Sequence, residues 1–189
     1  MNLLTELRPL VKEALLSAYA GESMAQSRYR AFEEVAEREG FKNVARLFRA
    51  IAFAEQVHAR NHLKRMASVM SDQKACGGAP IGLGNTSQNL NLAIMGEEFE
   101  VSEMYPTYVA IAEFYGDEAA KRTFRWALEA ERIHAELYKK AKEHVDKGED
   151  MPLEGKVWIC PVCGHTHVGL EAPEKCPVCG VTRDKYVGF

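Results

Sequence analysis

Apolar residues recur every three or four positions from about residue 3 to residue 147, the spacing of amphipathic helices. Helix-breaking residues divide this stretch at Gly40, at a segment rich in Ser, Gly, Pro and Asn over 71–87, and at Gly116 and Gly148. Four helices of about 25 to 33 residues remain, each roughly 37 to 50 Å long. The pattern predicts an all-α, up-and-down four-helix bundle with one longer connection in the middle.

The pattern changes after Gly148. Residues 148–156 are polar and contain Pro and Gly, which is typical of a linker. Residues 157–189 are too few to fold around an apolar core without a metal or disulfides. We therefore predict a helical domain over 1–147, a linker over 148–156 and a small metal-binding domain over 157–189.

The helical part repeats itself. Gly21-Glu22 is matched by Gly96-Glu97, and residues 41–58 align with residues 117–134, both segments ending in His. The separation between Glu22 and Glu55 is 33 residues, and the separation between Glu97 and Glu131 is 34. Two helix pairs of one design predict a pseudo-twofold bundle in which any special feature occurs twice.

Each predicted helix places a glutamate on its apolar stripe near mid-length. These residues are Glu22, Glu55, Glu97 and Glu131. Burying several carboxylates together costs several kcal/mol for each ion unless cations compensate the charge. Two divalent cations between the helices would remove that cost.

A dinuclear site in a bundle takes one Glu from each of two helices and Glu-x-x-His from each of the other two. The i, i+3 spacing puts oxygen and nitrogen ligands on one helix face, and such mixed ligation suits iron or manganese better than calcium. Solvated charges and packed histidines are the weaker alternative, because the motif occurs twice. The matching residues are Glu22 and Glu97, with Glu55-Gln-Val-His58 and Glu131-Arg-Ile-His134.

Glu100 adds a fifth carboxylate one turn after Glu97, where the first repeat has Ala25. Four glutamates balance two ferrous ions, but two ferric ions with a hydroxo bridge leave one positive charge that Glu100 would neutralise. The alternative is that Glu100 is simply exposed. We expect His62, one turn after His58, to support the site or pack in the core rather than bind metal.

Two identical Cys-Pro-Val-Cys-Gly knuckles near the C-terminus predict a site in which four thiolates surround one metal. Their cysteines are Cys160, Cys163, Cys176 and Cys179. Iron and zinc both accept this geometry. A di-iron site in the same chain favours a redox-active iron over a structural zinc, and Cys76 has no assigned role.

Charge and composition exclude other classes. The formal net charge of −3 offers no excess of cations for binding nucleic acid. No apolar run approaches the roughly 20 residues that cross a bilayer, and the opening segment carries acidic residues where a signal peptide is basic. Five unevenly spaced cysteines fit a reducing compartment. We expect a cytoplasmic protein without nucleic-acid or membrane partners.

Several motifs in order resemble the rubrerythrin family across nearly the whole chain: GESMAQSRY, AEQVH, GEEFEVSEMYP, AERIH and the four-cysteine module. The resemblance implies a ferritin-like bundle with a di-iron centre and a β-rich rubredoxin-like domain with one iron, hence three iron ions per chain. It implies that one iron exchanges His58 for Glu100 between the reduced and oxidised states. The residues matching the di-iron ligands are Glu22, Glu55, His58, Glu97, Glu100, Glu131 and His134.

The resemblance also implies features around the ligands. Tyr29 and Tyr105 match tyrosines that hydrogen-bond ligand carboxylates, although aromatic packing is an equally good interpretation of both residues. Pro106 interrupts the third helix and is expected to kink it by freeing the carbonyl of Ser102.

The implied activity is peroxidase: reduction of hydrogen peroxide to water at the di-iron site, in oxidative-stress protection. The rubredoxin-like iron relays electrons from an external donor, either a rubredoxin or an NADH-dependent rubredoxin reductase, since the chain has no GxGxxG nucleotide fingerprint. Iron storage with ferroxidase activity is one alternative. An adaptor protein whose small domain is held together by zinc is a second alternative.

Helix length suggests an assembly. From Glu131 to Lys147 the fourth helix rises roughly 24 Å, and a linker follows. The two metal centres of one chain are therefore expected to lie too far apart for fast electron transfer. This expectation leads to a predicted head-to-tail homodimer, in which the rubredoxin-like iron of one subunit lies beside the di-iron site of the other.

Overall fold

The computed structural model describes residues 7–189, so the part of the first predicted helix at residues 3–6 lies outside the described residues. Helix α1 spans Pro9–Glu39 and α2 spans Lys42–Arg65. The chain then lacks regular structure until α3, Thr86–Phe99, which continues through a π-helical turn, Glu100–Met104, into α4, Tyr105–Phe114. Helix α5 spans Glu118–Val145. The predicted bundle of four helical rods is confirmed.

Local chemistry explains where the helices begin and end. Pro9 occupies the first turn of α1, where its missing N–H costs no hydrogen bond. Gly40 ends α1 at φ 89°, a left-handed conformation that glycine adopts without strain. Asn85 and Gln88 form a reciprocal capping box at the start of α3. The side chain of Asp117 accepts a hydrogen bond from the backbone at the start of α5.

Two apolar clusters fill the bundle, one on each side of its middle. The first includes Tyr29, Phe48 and Tyr138. The second includes Leu15 and Phe124. The inward glutamates lie between the two clusters, so close-packed side chains shield them from water on both sides. Within residues 7–189, no helix combines the length and apolar character needed to cross a bilayer.

The C-terminal segment forms a small antiparallel sheet of three strands in the order β2-β1-β3. The strands are β1, Lys156–Ile159, β2, Thr166–Gly169, and β3, Val187–Gly188, with a short 3-10 helix over Arg183–Lys185. The buried cysteines and Tyr186 form most of its core. This core is small, as expected of a domain that depends on metal.

The linker returns along the bundle instead of leading away from it. Gly148 has a φ of 77°, which allows the chain to reverse after α5. Asp150 then accepts a hydrogen bond from the backbone N–H of Asn43, at the start of α2, with an N to O distance of 2.7 Å. Arg46 of α2 donates to the carbonyl oxygen of Gly155 at 3.0 Å. The chain therefore follows α2 back toward mid-bundle.

The four-cysteine domain consequently lies against the middle of the bundle. Arg60 and Asn61 of α2 donate hydrogen bonds to the carbonyl oxygens of Pro161 and Val162, at 2.7 and 2.8 Å. The expectation that helix α5 carries this domain too far from the bundle site of its own chain was wrong. After α5 extends beyond Glu131, the linker runs back along α2 and returns the chain to the middle of the bundle.

Candidate metal centres

Each helical rod contributes a buried glutamate at mid-length. Glu22 of α1 and Glu131 of α5 have no exposed surface, and Glu55 of α2 and Glu97 of α3 are 1% exposed. They interrupt apolar stripes whose neighbours are almost all buried, as the helical period predicts. Packing of the stripes therefore brings four carboxylates from distant parts of the sequence together.

The carboxylates and two histidines form two overlapping groups of close donor atoms. Within each group, one atom from every residue lies within 4.8 Å of the others. Glu55 and Glu131 belong to both groups, which is the arrangement expected of carboxylates shared by two adjacent cations. The groups are Glu22, Glu55, His58 and Glu131, and Glu55, Glu97, Glu131 and His134.

Both histidines point the same ring nitrogen at the shared carboxylates. Nδ1 of His58 lies 2.8 Å from a Glu131 oxygen and 2.9 Å from a Glu55 oxygen. Nδ1 of His134 lies 2.6 Å from Glu131 and 3.2 Å from Glu55. Although burial lowers histidine pKa values, the Glu131 carboxylate raises the pKa of His58 to about 10 and that of His134 to about 9.

The remaining carboxylates lack charge compensation. Burial raises the pKa of Glu22 well above its ordinary value, and repulsion by Glu100 and Glu55 adds to the effect. Burial and the carboxylates of Glu55 and Glu131 do the same for Glu97. Atom Oε2 of Glu22 and Oε2 of Glu97 have no hydrogen-bond partner within residues 7–189. Orphaned oxygens and excess buried negative charge fit a pair of divalent cations.

The four knuckle cysteines also come together. Cys160 and Cys179 have sulfur atoms 3.5 Å apart, as do Cys163 and Cys176, and the four sulfur atoms lie within 4.8 Å of one another. Ligands about 2.3 Å from a tetrahedral metal are separated by comparable distances. Three of the cysteines are buried and Cys179 is partly exposed, whereas Cys76 is exposed and belongs to no such group.

Comparisons with known proteins assign both parts of the chain. The family model described as Rubrerythrin matches residues 13–142, and the one described as Rubrerythrin, rubredoxin-like domain, matches residues 158–187. This chain belongs to the rubrerythrin family. Rubrerythrin-2 of Clostridium acetobutylicum is 43% identical over 180 residues, or 95% of this chain and 97% of that protein. Nigerythrin of Nitratidesulfovibrio vulgaris is 34% identical over 177 residues, or 94% and 85% of the two chains.

Solved structures agree with the family assignment. The fully reduced, all-ferrous state of nigerythrin matches with a TM-score of 0.83 at 33% identity, covering 98% of this chain and 89% of that one. A bacterioferritin of Mycobacterium tuberculosis matches with a TM-score of 0.66 at 19% identity, covering 76% and 90%, which shows the fold alone. The predicted family and the ferritin-like fold with a small strand-containing domain are confirmed.

The family and the donor sets together assign the cofactors. The bundle of this rubrerythrin-family chain holds a carboxylate and histidine di-iron site, and its rubredoxin-like domain holds a four-cysteine site. These two sites are consistent with three irons per chain, as predicted. Its relatives place the chain among the oxidoreductases.

Two tyrosines of this rubrerythrin-family chain contact the site carboxylates. The Tyr29 hydroxyl donates to Glu97 with an O to O distance of 2.6 Å, and the Tyr105 hydroxyl donates to Glu22. Nε2 of His62 lies 3.1 Å from the Tyr105 hydroxyl. His62 belongs to neither group of close donors. The Tyr105 hydroxyl connects it to the Glu22 carboxylate.

Glu100 lies at the start of a π-helical turn. Its side chain is only 9% exposed, yet it belongs to neither group of close donors. The backbone N–H of Tyr105 bonds to the Glu100 carbonyl, five residues back, just before Pro106. Where the sequence predicts a kink at Pro106, the structure therefore has a π turn.

The π turn was not predicted, although the sequence contains a signal for it. Gly40 follows Glu22 by 18 residues, whereas Gly116 follows Glu97 by 19. A single extra residue within a helix is the usual origin of a π bulge, and such bulges are frequent at functional sites. The asymmetry of the repeat therefore marks the rod that carries Glu100.

Proposed function

We propose that this chain reduces hydrogen peroxide to two waters at its di-iron site, in protection against oxidative stress. The family and the donor sets support a redox reaction at the bundle site. The observation that carries the proposal is the contact between the two metal domains: Oγ1 of Thr166 lies 2.8 Å from Nε2 of His134. A four-cysteine carrier that touches a bundle histidine is suited to deliver electrons there.

The proposed ligands are the residues that the sequence singles out. Glu55 and Glu131 are proposed to bridge the two cations because they occur in both donor groups. Glu100 is proposed as the ligand that alternates with His58, since it is buried beside the groups without belonging to either. The full set is Glu22, Glu55, His58, Glu97, Glu100, Glu131 and His134, with Cys160, Cys163, Cys176 and Cys179 for the third iron.

When bound, two ferrous ions supply the two electrons that, with two protons, convert one hydrogen peroxide into two waters. The Tyr105 hydroxyl holds a proton beside Glu22. Burial, together with the Glu22 and Glu100 carboxylates, raises the Tyr105 pKa well above its ordinary value, which keeps this hydroxyl protonated. Tyr29 likewise keeps its proton while it orients Glu97.

The proposed partners are hydrogen peroxide and an external electron donor, a rubredoxin or an NADH-dependent rubredoxin reductase. Contacts within one chain now support electron relay inside a single subunit. A head-to-tail homodimer is therefore not required for the relay. It stays a prediction that sedimentation of the purified protein tests.

Peroxide turnover tests the proposal. We expect the aerobically purified protein to show ferric thiolate absorption bands that bleach on reduction and return when hydrogen peroxide is added, with two electrons consumed per peroxide. A colourless, zinc-loaded protein would contradict the proposal and favour an adaptor role. Iron uptake into large shells without peroxide turnover would favour iron storage.

A further inference from the structure

The two histidines of the bundle site differ in what holds their outer nitrogen atoms. Nε2 of His134 lies 2.8 Å from the hydroxyl oxygen of Thr166 in the four-cysteine domain. Nε2 of His58 has no hydrogen-bond partner within residues 7–189 and faces Gly164. Both imidazoles are at most 1% exposed, so bulk water does not replace the missing contact.

The direction of the Thr166 hydrogen bonds follows from counting protons. A threonine hydroxyl has one proton to donate. Oγ1 of Thr166 donates to the carbonyl oxygen of Gly164 at 3.3 Å, and a carbonyl oxygen only accepts. The hydroxyl oxygen therefore accepts the Nε2 proton of His134. Nδ1, which lies 2.6 Å from Glu131, is then the ring nitrogen from which a cation would displace a proton.

Thr166 is itself held firmly. It is 2% exposed and begins strand β2, where it pairs with Ile159 of β1. The backbone N–H of Cys160 bonds to the carbonyl oxygen of the preceding residue, His165, at 2.9 Å. The hydroxyl that contacts His134 is therefore fixed by the same knuckle that supplies two of the four thiolates.

We propose that Thr166 is a positioning residue for the bundle site: it holds His134 in the tautomer that binds metal through Nδ1. His58 has no such partner on its outer nitrogen within residues 7–189. The four-cysteine domain thereby completes the surroundings of the di-iron site and makes its two halves unequal. This inference rests on the ligand role proposed for His134, but not on peroxide as the substrate.

The test uses the full-length chain with zinc in both kinds of site, which is suitable for NMR. Thr166→Val removes the hydroxyl at nearly constant shape, and Thr166→Ser keeps it. Asn61→Ala is the matched control, because it deletes another hydrogen bond between the domains, to Val162, without touching His134. The readouts are the solvent exchange rate of the His134 Nε2 proton and the zinc affinity of the bundle after the four-cysteine site is filled.

We expect Thr166→Val to speed exchange of the His134 proton and to weaken zinc binding in the bundle by about 10- to 100-fold, the range typical of a lost partner of a metal-bound histidine. Thr166→Ser and Asn61→Ala should behave like the unaltered chain. Unchanged affinity and exchange in Thr166→Val, or equal losses in Thr166→Ser, would overturn the inference. Failure of the unaltered bundle to bind zinc would instead count against the proposed ligand set.

Discussion

At the scale of single residues, the site depends on which buried polar atoms have partners. Tyr29 and Tyr138 lie in one aromatic cluster with ring centroids 5.3 Å apart. Only the Tyr29 hydroxyl reaches a carboxylate, that of Glu97. The Tyr138 hydroxyl is buried without a hydrogen-bond partner within residues 7–189. Two similar side chains therefore have different consequences for the metal site.

We expect Tyr29→Phe to weaken divalent metal binding in the bundle about 10-fold or more, because Glu97 loses the donor that orients it. Tyr138→Phe is the matched control, since it removes a hydroxyl that bonds to nothing described and should leave metal affinity unchanged. Competition with a chelator measures both variants. Equal losses in the two variants would show that packing, rather than the hydrogen bond, supports the site.

At the scale of elements, the start of α5 is tied to the end of α2. Asp117 accepts a hydrogen bond from the backbone N–H of Ala120 at 2.9 Å and receives two from Arg65. Although burial alone would raise its pKa, these donors hold the pKa of Asp117 below its ordinary value of 3.8. The cap therefore stabilises the fold most when Asp117 is ionised.

We expect Asp117→Asn to lower the free energy of unfolding by roughly 1 kcal/mol or less at neutral pH, because the pair with Arg65 is partly exposed. The folded-state pKa is depressed, so this difference is fully present above the unfolded pKa. It disappears as the pH falls through the folded-state pKa.

Thermal unfolding of the variant and the unaltered chain at the same pH values measures this difference. Metal loss in acid affects both proteins alike and therefore does not contribute to it. Asp72→Asn is the control, since it removes an exposed carboxylate with no ion pair within residues 7–189. A difference for Asp117→Asn that stays constant into acid would contradict the role of its charge.

At the scale of the whole molecule, a close approach joins the two domains. Gly164 and Gly180 occupy equivalent positions after the two knuckles, with φ angles of 85° and 79°. A Cβ atom on residue 164 would overlap Nε2 of His58, whereas a Cβ on residue 180 would meet nothing within 4 Å. Gly164 therefore allows the two domains to approach closely, whereas Gly180 is required only by the turn after its own knuckle.

We expect Gly164→Ala to slow electron transfer from the four-cysteine iron to the bundle site by on the order of 10-fold or more, because the added methyl pushes the domains apart. Gly180→Ala carries the same backbone strain without the overlap, so it should transfer electrons normally. Stopped-flow reoxidation of the reduced protein by peroxide measures the rate. Equal rates in the two variants would argue against transfer through this contact within one chain.

We also expect metal removal to affect the domains unequally. The four-cysteine domain has a core of few residues besides its cysteines, so loss of its metal should unfold residues 156–189. The helical bundle has two extensive apolar clusters and should remain folded. Hydrogen exchange after chelation checks this outcome, and protected amides in β1 and β2 without metal would contradict it.

Local patterns along the chain were enough to predict the separate parts of this protein. Helical periodicity located the inward glutamates, because burial requires one face of each helix to be apolar and exceptions on that face stand out. The doubled Glu-x-x-His motif and the paired knuckles predicted candidate metal donors that the fold brings together, because ligand spacing within one helix or turn is a local property. Local rules therefore sufficed to predict the fold class and a set of candidate donors.

How these parts meet depends on contacts that form when the whole chain folds. The π turn at Glu100 accommodates a residue whose effect depends on packing around it. The return of the linker along α2 and the contact of Thr166 with His134 join residues far apart in sequence. Such contacts depend on how whole surfaces pack against each other. The spacing of residues within one segment does not predict that packing. The relation between the two metal centres was therefore beyond the reach of the sequence.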